Sequence, residues 1–214
     1  ALQQLGISNA NHALGEEIYE ALRIRIPNSR MLFDDTLSTL TALKQRGYIL
    51  GVVTNRHYGG LPFYEDLQTI GLLDFFEYEH MAISADLGIR KPNADIFMHA
   101  LNKLKVKPEE AAMVGDSLKA DILGAKMLNI LAIWKPKASL IEEARAAWVA
   151  SHEACENESI PGFTDDDLLT YVHNRDGLKH QQFQNDLKPD FIIKNLRDLL
   201  AIFKSATIAK SELD

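Results

Sequence analysis

Apolar positions along this chain alternate between two periods. Ala13 to Ile26 carries Leu14, Ile18, Ala21 and Leu22 at helical spacing and is closed by Pro27-Asn28, which predicts an amphipathic helix. Thr36 to Arg46 predicts another, with Leu37, Leu40 and Leu43 turned inward and Gly47 at its end. The period then changes. Tyr48-Ile-Leu-Gly-Val-Val-Thr54 is a continuous apolar and β-branched run, as in a strand covered on both faces. The unit repeats: a helix near Leu61 to Ile70, a strand around Glu79 to Ser84, the loop Gly88-Ile-Arg-Lys-Pro92, and a helix from Asn93 to Leu104 with Ile96, Phe97, Ala100 and Leu101 on one face. Ala111 to Val114 reads as a buried strand that breaks at Gly115 into an acidic turn and a helix. Further strands are expected at Asn129 to Trp134 and Asp190 to Ile193, followed by a helix from Leu196 to Phe203. Strands alternating with helices in this way predict the α/β class, a mostly parallel sheet with helices on both faces.

The rhythm stops between Lys135 and Lys188. Leu140 to Val149 reads as a helix, Glu153 to Pro161 is polar and turn-like, and Asp165 to Leu178 resembles a broken helical segment ended by Gly177. A crossover needs far fewer residues. The segment 137–188 is therefore read as a helical insertion beside a core made of 31–136 and 189–205, with 206–214 as a tail.

The 214 residues, 46% hydrophobic and 25% charged, suffice for a packed interior. A formal charge of -7 argues against a general nucleic-acid surface, which needs a basic face. Cys155 is alone, so no internal disulfide forms, and no apolar run approaches a membrane span. These features suggest a cytoplasmic protein without a membrane partner.

Several polar residues fall just past strand ends, where open α/β sheets place ligands. Asp116 and Asp121 follow one strand; two neighbouring carboxylates there need a counter-charge, and Mg²⁺, which takes one or two carboxylates and keeps its remaining oxygen ligands, suits them. The plainer alternative is a helix cap at Asp116 and a solvated Asp121. Thr54 and Asn55 follow another strand and offer donors to phosphoryl oxygens, while Lys91 offers a positive charge. For these the plainer readings are a strand-end hydroxyl bonded to backbone and a solvated loop lysine. The histidines, including His57, His80 and His99, show no metal-ligand spacing, and Asp165-Asp-Asp167 lacks the spacing and glycine of a calcium loop. Trp134 and Trp148 read as packing residues, and Cys155 has no evident base beside it.

Val52-Val-Thr-Asn55, Gly88-Ile-Arg-Lys-Pro92 and Val114-Gly-Asp-Ser-Leu-Lys-Ala-Asp121 resemble, in order, the second, third and fourth motifs of the haloacid dehalogenase superfamily. The resemblance covers roughly Thr36 to Pro136 and Pro189 to Phe203, and it implies a Rossmann-like core. It implies Mg²⁺-dependent hydrolysis of a small phosphorylated metabolite. Thr54 and Lys91 would be catalytic, Thr54, Asn55 and Lys91 would bind phosphate, and Asp116 and Asp121 would form the metal site, with Ser117 assisting. The family's first motif, an apolar strand ending in Asp-x-Asp-x-Thr, is not found. Met31-Leu-Phe-Asp-Asp-Thr36 is no substitute: its carboxylates are adjacent, so they project differently from an extended chain, and Asp34 and Asp35 read as helix-start residues. Residues 1–30 resemble the closing half of a helical cap. The resemblance thus implies a central strand between those of Thr54 and Asp116, supplied by a missing N-terminal segment or by a partner chain. The alternatives are a non-catalytic regulatory or protein-interaction module and, third, carbon-halogen hydrolysis.

Overall fold

The structure, a computed structural model, describes residues 11, 13–15, 17–18, 32–152, 162–177 and 187–204. The chain divides into two units, Ala1–Leu32 and Phe33–Asp214. In the first, residues 13–15 and 17–18 are helical, and the Asn11 side chain accepts the Leu14 N–H at 2.8 Å, satisfying a donor of the first turn. The remainder of the helix expected up to Ile26, and Cys155 in the second unit, lie outside the described residues.

In the second unit, β1 (Val52–Thr54) pairs in parallel with β2 (Met81–Ile83). A separate parallel sheet has the order β3 (Ala112–Gly115), β4 (Leu131–Trp134), β5 (Phe191–Ile192). Among the described residues, β1 and β3 each have a strand on one edge only. The helices are α1 (Thr36–Gln45), α2 (Gly60–Thr69), α3 (Ser84–Leu87), α4 (Ala94–Leu104), α5 (Leu123–Met127), α6 (Ala138–His152), α7 (Asp165–Arg175) and α8 (Leu199–Ile202). A π turn, Leu118–Ile122, leads into α5.

Alternation along the strands sends each residue to one of two sides. Val53, Ala82, Met113, Ala132, Trp134 and Ile192 enter one core with α4, α5, α6 and α7. Their neighbours turn the other way. Val52, Met81 and Ile83 pack on Phe63 and Leu67 of α2, while Val114, Leu131, Ile133 and Ile193 pack with Leu43 of α1 and Leu199 of α8. Helices therefore cover both faces of parallel sheets, the α/β arrangement that the alternation of elements predicts. The segment after β4 adds Leu140, Ala144, Leu168, Leu169 and Val172 to the first of these cores.

Local details differ from the sequence pattern. Strand geometry is limited to Val52–Thr54, with Ile49 62% exposed and the Tyr48 hydroxyl donating to the Lys204 carbonyl at 2.7 Å. Both faces of β1 are packed, Val53 in one core and Val52 in another, while among the described residues the strand is paired on one edge. Tyr78–His80 forms a 3₁₀ turn before β2, and another, Leu196–Asp198, precedes α8. α7 is unbroken from Asp165 and starts with a capping box between Thr164 and Asp167. Asp35 sits at the start of α1 but does not cap it through its side chain. Its buried carboxylate instead accepts the Arg197 N–H at 2.9 Å, with the Arg197 guanidinium at 3.6 Å, which ties α1 to the turn before α8. Among the described residues no helix is long and apolar enough to cross a membrane.

Candidate functional site

The carboxyl ends of β1 and β3, with the loop before α4, hold the residues singled out in the sequence. Thr54 is the last residue of β1, half-buried, and its hydroxyl makes no hydrogen bond among the described residues. Asn55 faces the Lys91 backbone. Its Oδ1 accepts the Lys91 N–H at 2.8 Å, and its Nδ2 donates to the Lys91 carbonyl at 3.1 Å. This reciprocal pair clamps the loop to the end of β1. The loop is bounded on one side by Gly88, at φ +66 after α3, a conformation that glycine adopts at little cost. On the other side Asn93 caps α4 by accepting the Asp95 N–H at 2.8 Å.

Held in this way, Lys91 extends inward rather than into solvent. Its Nζ donates to the Val53 carbonyl at 2.6 Å and lies 2.7 Å from Asp121 Oδ1, with side chains 11% and 5% exposed respectively. The contact with Asp121 is an ion pair without the alignment of a hydrogen bond, and Oδ1 has no hydrogen-bond donor. The other oxygen, Oδ2, accepts the Ser117 N–H at 3.0 Å. Ser117 is the cap of the π turn, its hydroxyl accepting the Ala120 N–H at 3.1 Å. Gly115 makes room for the carboxylate: a Cβ there would lie 2.3 Å from Asp121 Cγ.

Asp116 has a different environment. Its side chain is half exposed, with Oδ2 3.3 Å from Lys137 Nζ, while its carbonyl accepts the indole N–H of the fully buried Trp134 at 2.9 Å. The structure thus brings Asn55, Lys91 and Asp121 into one connected network, with Thr54 between the two residues that hold Lys91. It places Asp116 at the rim, five residues before Asp121. Among the described residues, no group of three or more His, Cys, Asp or Glu side chains is gathered as a metal cage. The donor set still suits Mg²⁺, which needs only one or two protein carboxylates and fills its octahedron with water and phosphate oxygens. Asp116 has the accessible carboxylate for this, and Asp121 is committed to Lys91 and Ser117.

The sequence profile of the haloacid dehalogenase-like hydrolases matches residues 1–135. The chain belongs to this family. Over 98 residues it is 44% identical to a glyceraldehyde 3-phosphate phosphatase of Pyrococcus furiosus, a match covering 45% of this chain and 38% of that protein. Over 116 residues it is 31% identical to a phosphoserine phosphatase of Thermus thermophilus, covering 54% and 45% of the two. Each match therefore spans less than half the length of the relative. A solved haloacid dehalogenase-type phosphatase from Thermococcus onnurineus aligns with a TM-score of 0.57 at 25% identity, covering 95% of this chain and 69% of that one.

Three residues that frame this haloacid dehalogenase-like site were not singled out as functional in the sequence. Ser84, directly after β2, is buried and bonds both backbone groups of Arg56, accepting its N–H at 2.8 Å and donating to its carbonyl at 2.9 Å. Trp134 reads as core, and its indole N–H also positions the Asp116 turn. Lys137 looks like any surface lysine. The available signal was position: Ser84 and Trp134 sit at strand carboxyl ends, as Thr54 does, and Lys137 follows by three residues.

Proposed function

We propose that this chain carries the phosphate-holding part of a Mg²⁺-dependent phosphomonoester hydrolase acting on a small phosphorylated metabolite. An extended segment ending in Asp-x-Asp-x-Thr completes the site between β1 and β3. The observation that carries the reading is the position of Lys91, which reaches from a β1 carbonyl to the carboxylate after β3, two strands that among the described residues are each paired on one edge. One strand inserted there would pair both edges and satisfy backbone groups that a sheet otherwise leaves open. Its source is a preceding segment of the same polypeptide or a partner chain.

In this site the Thr54 hydroxyl donates to a phosphoryl oxygen. Asn55 keeps the Lys91 backbone in place, and the Lys91 ammonium neutralises negative charge on the phosphoryl group and on the incoming carboxylate. The first Asp of the inserted segment attacks phosphorus as the bond to the ester oxygen breaks. The second Asp protonates the departing alkoxide, then takes a proton from the water that opens the aspartyl phosphate. Mg²⁺, held by Asp116 with Asp121 in support, would polarise the phosphoryl oxygens. Ser117 and Trp134 hold the backbone of the Asp116 turn.

The test is phosphate release from small phosphomonoesters by the intact gene product. Release that requires Mg²⁺ and falls at least a hundredfold in both Asp116→Ala and Lys91→Met is the expected result. No turnover across a broad panel would favour a non-catalytic regulatory or interaction module, and halide release from a small haloacid, undiminished by chelator, would favour carbon-halogen chemistry.

A further inference from the structure

The segment after β1 is held by α3 at two points. The ladder between β1 and β2 ends at Thr54 and Ile83, because the chain turns into α3 at Ser84. The buried hydroxyl of Ser84 then carries the connection further: it accepts the Arg56 N–H at 2.8 Å and donates to the Arg56 carbonyl at 2.9 Å. A hydroxyl can do both at once, having one donor and two lone pairs. Two residues later in α3, Asp86 accepts the Gly60 N–H at 3.3 Å, and a Cβ on Gly59 would overlap its carboxylate.

The two clamps lead to different places. The Arg56 N–H belongs to the peptide that joins Asn55 to Arg56, so Ser84 fixes the plane from which the Asn55 side chain departs. Asn55 repeats the device on Lys91, accepting its N–H at 2.8 Å and donating to its carbonyl at 3.1 Å. Lys91 in turn sets its ammonium 2.6 Å from the Val53 carbonyl and 2.7 Å from Asp121 Oδ1. Asp86 holds the same loop at the first residue of α2, beyond this relay. From the relay we infer that Ser84 is a positioning residue for Lys91: its hydroxyl, through the Asn55–Arg56 peptide and the Asn55 carboxamide, determines where the ammonium stands. Alanine would fit the space but would leave both backbone groups of Arg56 without this partner. The effect on the position of Lys91 follows from the contacts alone, and the effect on turnover rests on the phosphate site proposed above.

Lys91 can be followed without turnover. Brief acetylation of the intact gene product with acetic anhydride at fixed pH, read peptide by peptide by mass spectrometry, gives the reactivity of Lys91 relative to that of the exposed Lys103. Ser84→Ala should raise it about fivefold, the scale of one neutral hydrogen bond, and Ser84→Thr, which keeps the hydroxyl, should stay within about twofold of the wild type. Asp86→Ala loosens the same loop at its other end and should also stay within about twofold. Asn55→Ala should match Ser84→Ala, and the double variant should exceed either by less than about twofold, since both substitutions break one relay. If Ser84→Ala does not fold, Ser84→Cys, whose thiol bonds weakly, makes the same comparison. Unchanged Lys91 reactivity, an equal rise in Asp86→Ala, or full additivity with Asn55→Ala overturns the inference. In phosphomonoester hydrolysis Ser84→Ala should lower kcat about tenfold and leave KM within about twofold. The expected labelling pattern in a protein that releases no phosphate would overturn the phosphate site and leave the role of Ser84 standing.

Discussion

Lys91→Met isolates the contact on which the site is built. Methionine keeps the unbranched stem and removes the ammonium, leaving the buried Asp121 carboxylate with the Ser117 N–H as its remaining donor among the described residues. Removing one member of a buried ion pair costs ~3–5 kcal/mol, because the remaining charge is desolvated without compensation. The Val53 carbonyl also loses its ammonium donor. With a urea slope of ~2 kcal/mol per molar, a loss of ~4 kcal/mol lowers the unfolding midpoint by about 2 M. Trp134 is a convenient fluorescent reporter, since it is buried and bonded to the Asp116 carbonyl of the same turn. Adding Asp121→Asn removes the stranded charge while keeping an acceptor for Ser117. The double variant should therefore recover at least ~1.5 kcal/mol relative to the sum of the two single losses, a coupling typical of contacting groups. A Lys91→Met midpoint within about 0.3 M of the wild type, or strictly additive losses, would show that the ammonium is solvated. The network described here would then be wrong.

Asp35 is buried, and although desolvation raises its pKa, the Arg197 N–H, its own N–H and the Arg197 guanidinium outweigh this and hold it below the ordinary value of 3.8. A carboxyl depressed in the folded state contributes stability above its unfolded pKa and loses it as pH falls through the folded value. Acid titration of the unfolding midpoint should show a decline below about pH 4 that Asp35→Asn flattens, at a cost near neutrality of about 1–3 kcal/mol. His173 is buried, and its Nε2 has no hydrogen-bond partner among the described residues; desolvation lowers its pKa below 6.5, partly opposed by Asp176. A base depressed by folding is stabilising while neutral, so thermal midpoints should fall as pH drops below about 6.5, and His173→Phe should reduce that dependence. Gly115→Ala should displace Asp121 and lower the thermal midpoint by about 4–8 °C, equivalent to roughly 2 kcal/mol in a domain of this size; an unchanged midpoint would contradict the close approach.

The elements were legible where local pattern and tertiary packing agree. The i, i+3, i+4 spacing of Ile96, Phe97, Ala100 and Leu101 predicts α4, and all four are buried. Strand boundaries were less legible because they depend on neighbours: the apolar run from Tyr48 does not reveal that only Val52–Thr54 is laddered. The acidic pair at the start of α1 illustrates the same limit. Asp34-Asp35 has the composition of a cap, but the destination of the Asp35 side chain is a backbone N–H 162 residues away, which no local window contains. In the site, the motifs locate Thr54, Lys91, Asp116 and Asp121, since Thr54 and Asp116 lie at strand carboxyl ends of the two parallel sheets and Lys91 on the loop clamped to Asn55. Their division of labour was not legible. That Asp121 turns onto Gly115 toward Lys91, while Asp116 turns outward to Lys137, depends on the π turn and on the space left by one absent Cβ.

That division bears on how the two sheets meet. Lys91 belongs to neither, yet its backbone is clamped to the residue after β1 and its ammonium to the carboxylate after β3. The Val53 carbonyl is a neutral acceptor, whereas Asp121 supplies the charge that justifies burying an ammonium. An incoming carboxylate would therefore compete with the Val53 carbonyl more readily than with Asp121: it offers an opposite charge where the carbonyl offers only a dipole. Asp121 would keep Lys91 oriented during that exchange, so Asp121→Asn should weaken the capture of an acidic segment as well as the fold. Titrating the protein with an apolar peptide ending in Asp-x-Asp-x-Thr, and with the same peptide ending in Asn-x-Asn-x-Thr, separates the two roles. Tighter binding of the acidic peptide by the wild type, with the difference reduced in Asp121→Asn, is the expected outcome. Equal affinity for both peptides would mean that pairing of the strand edges, and not the charge on Lys91, draws the segment in.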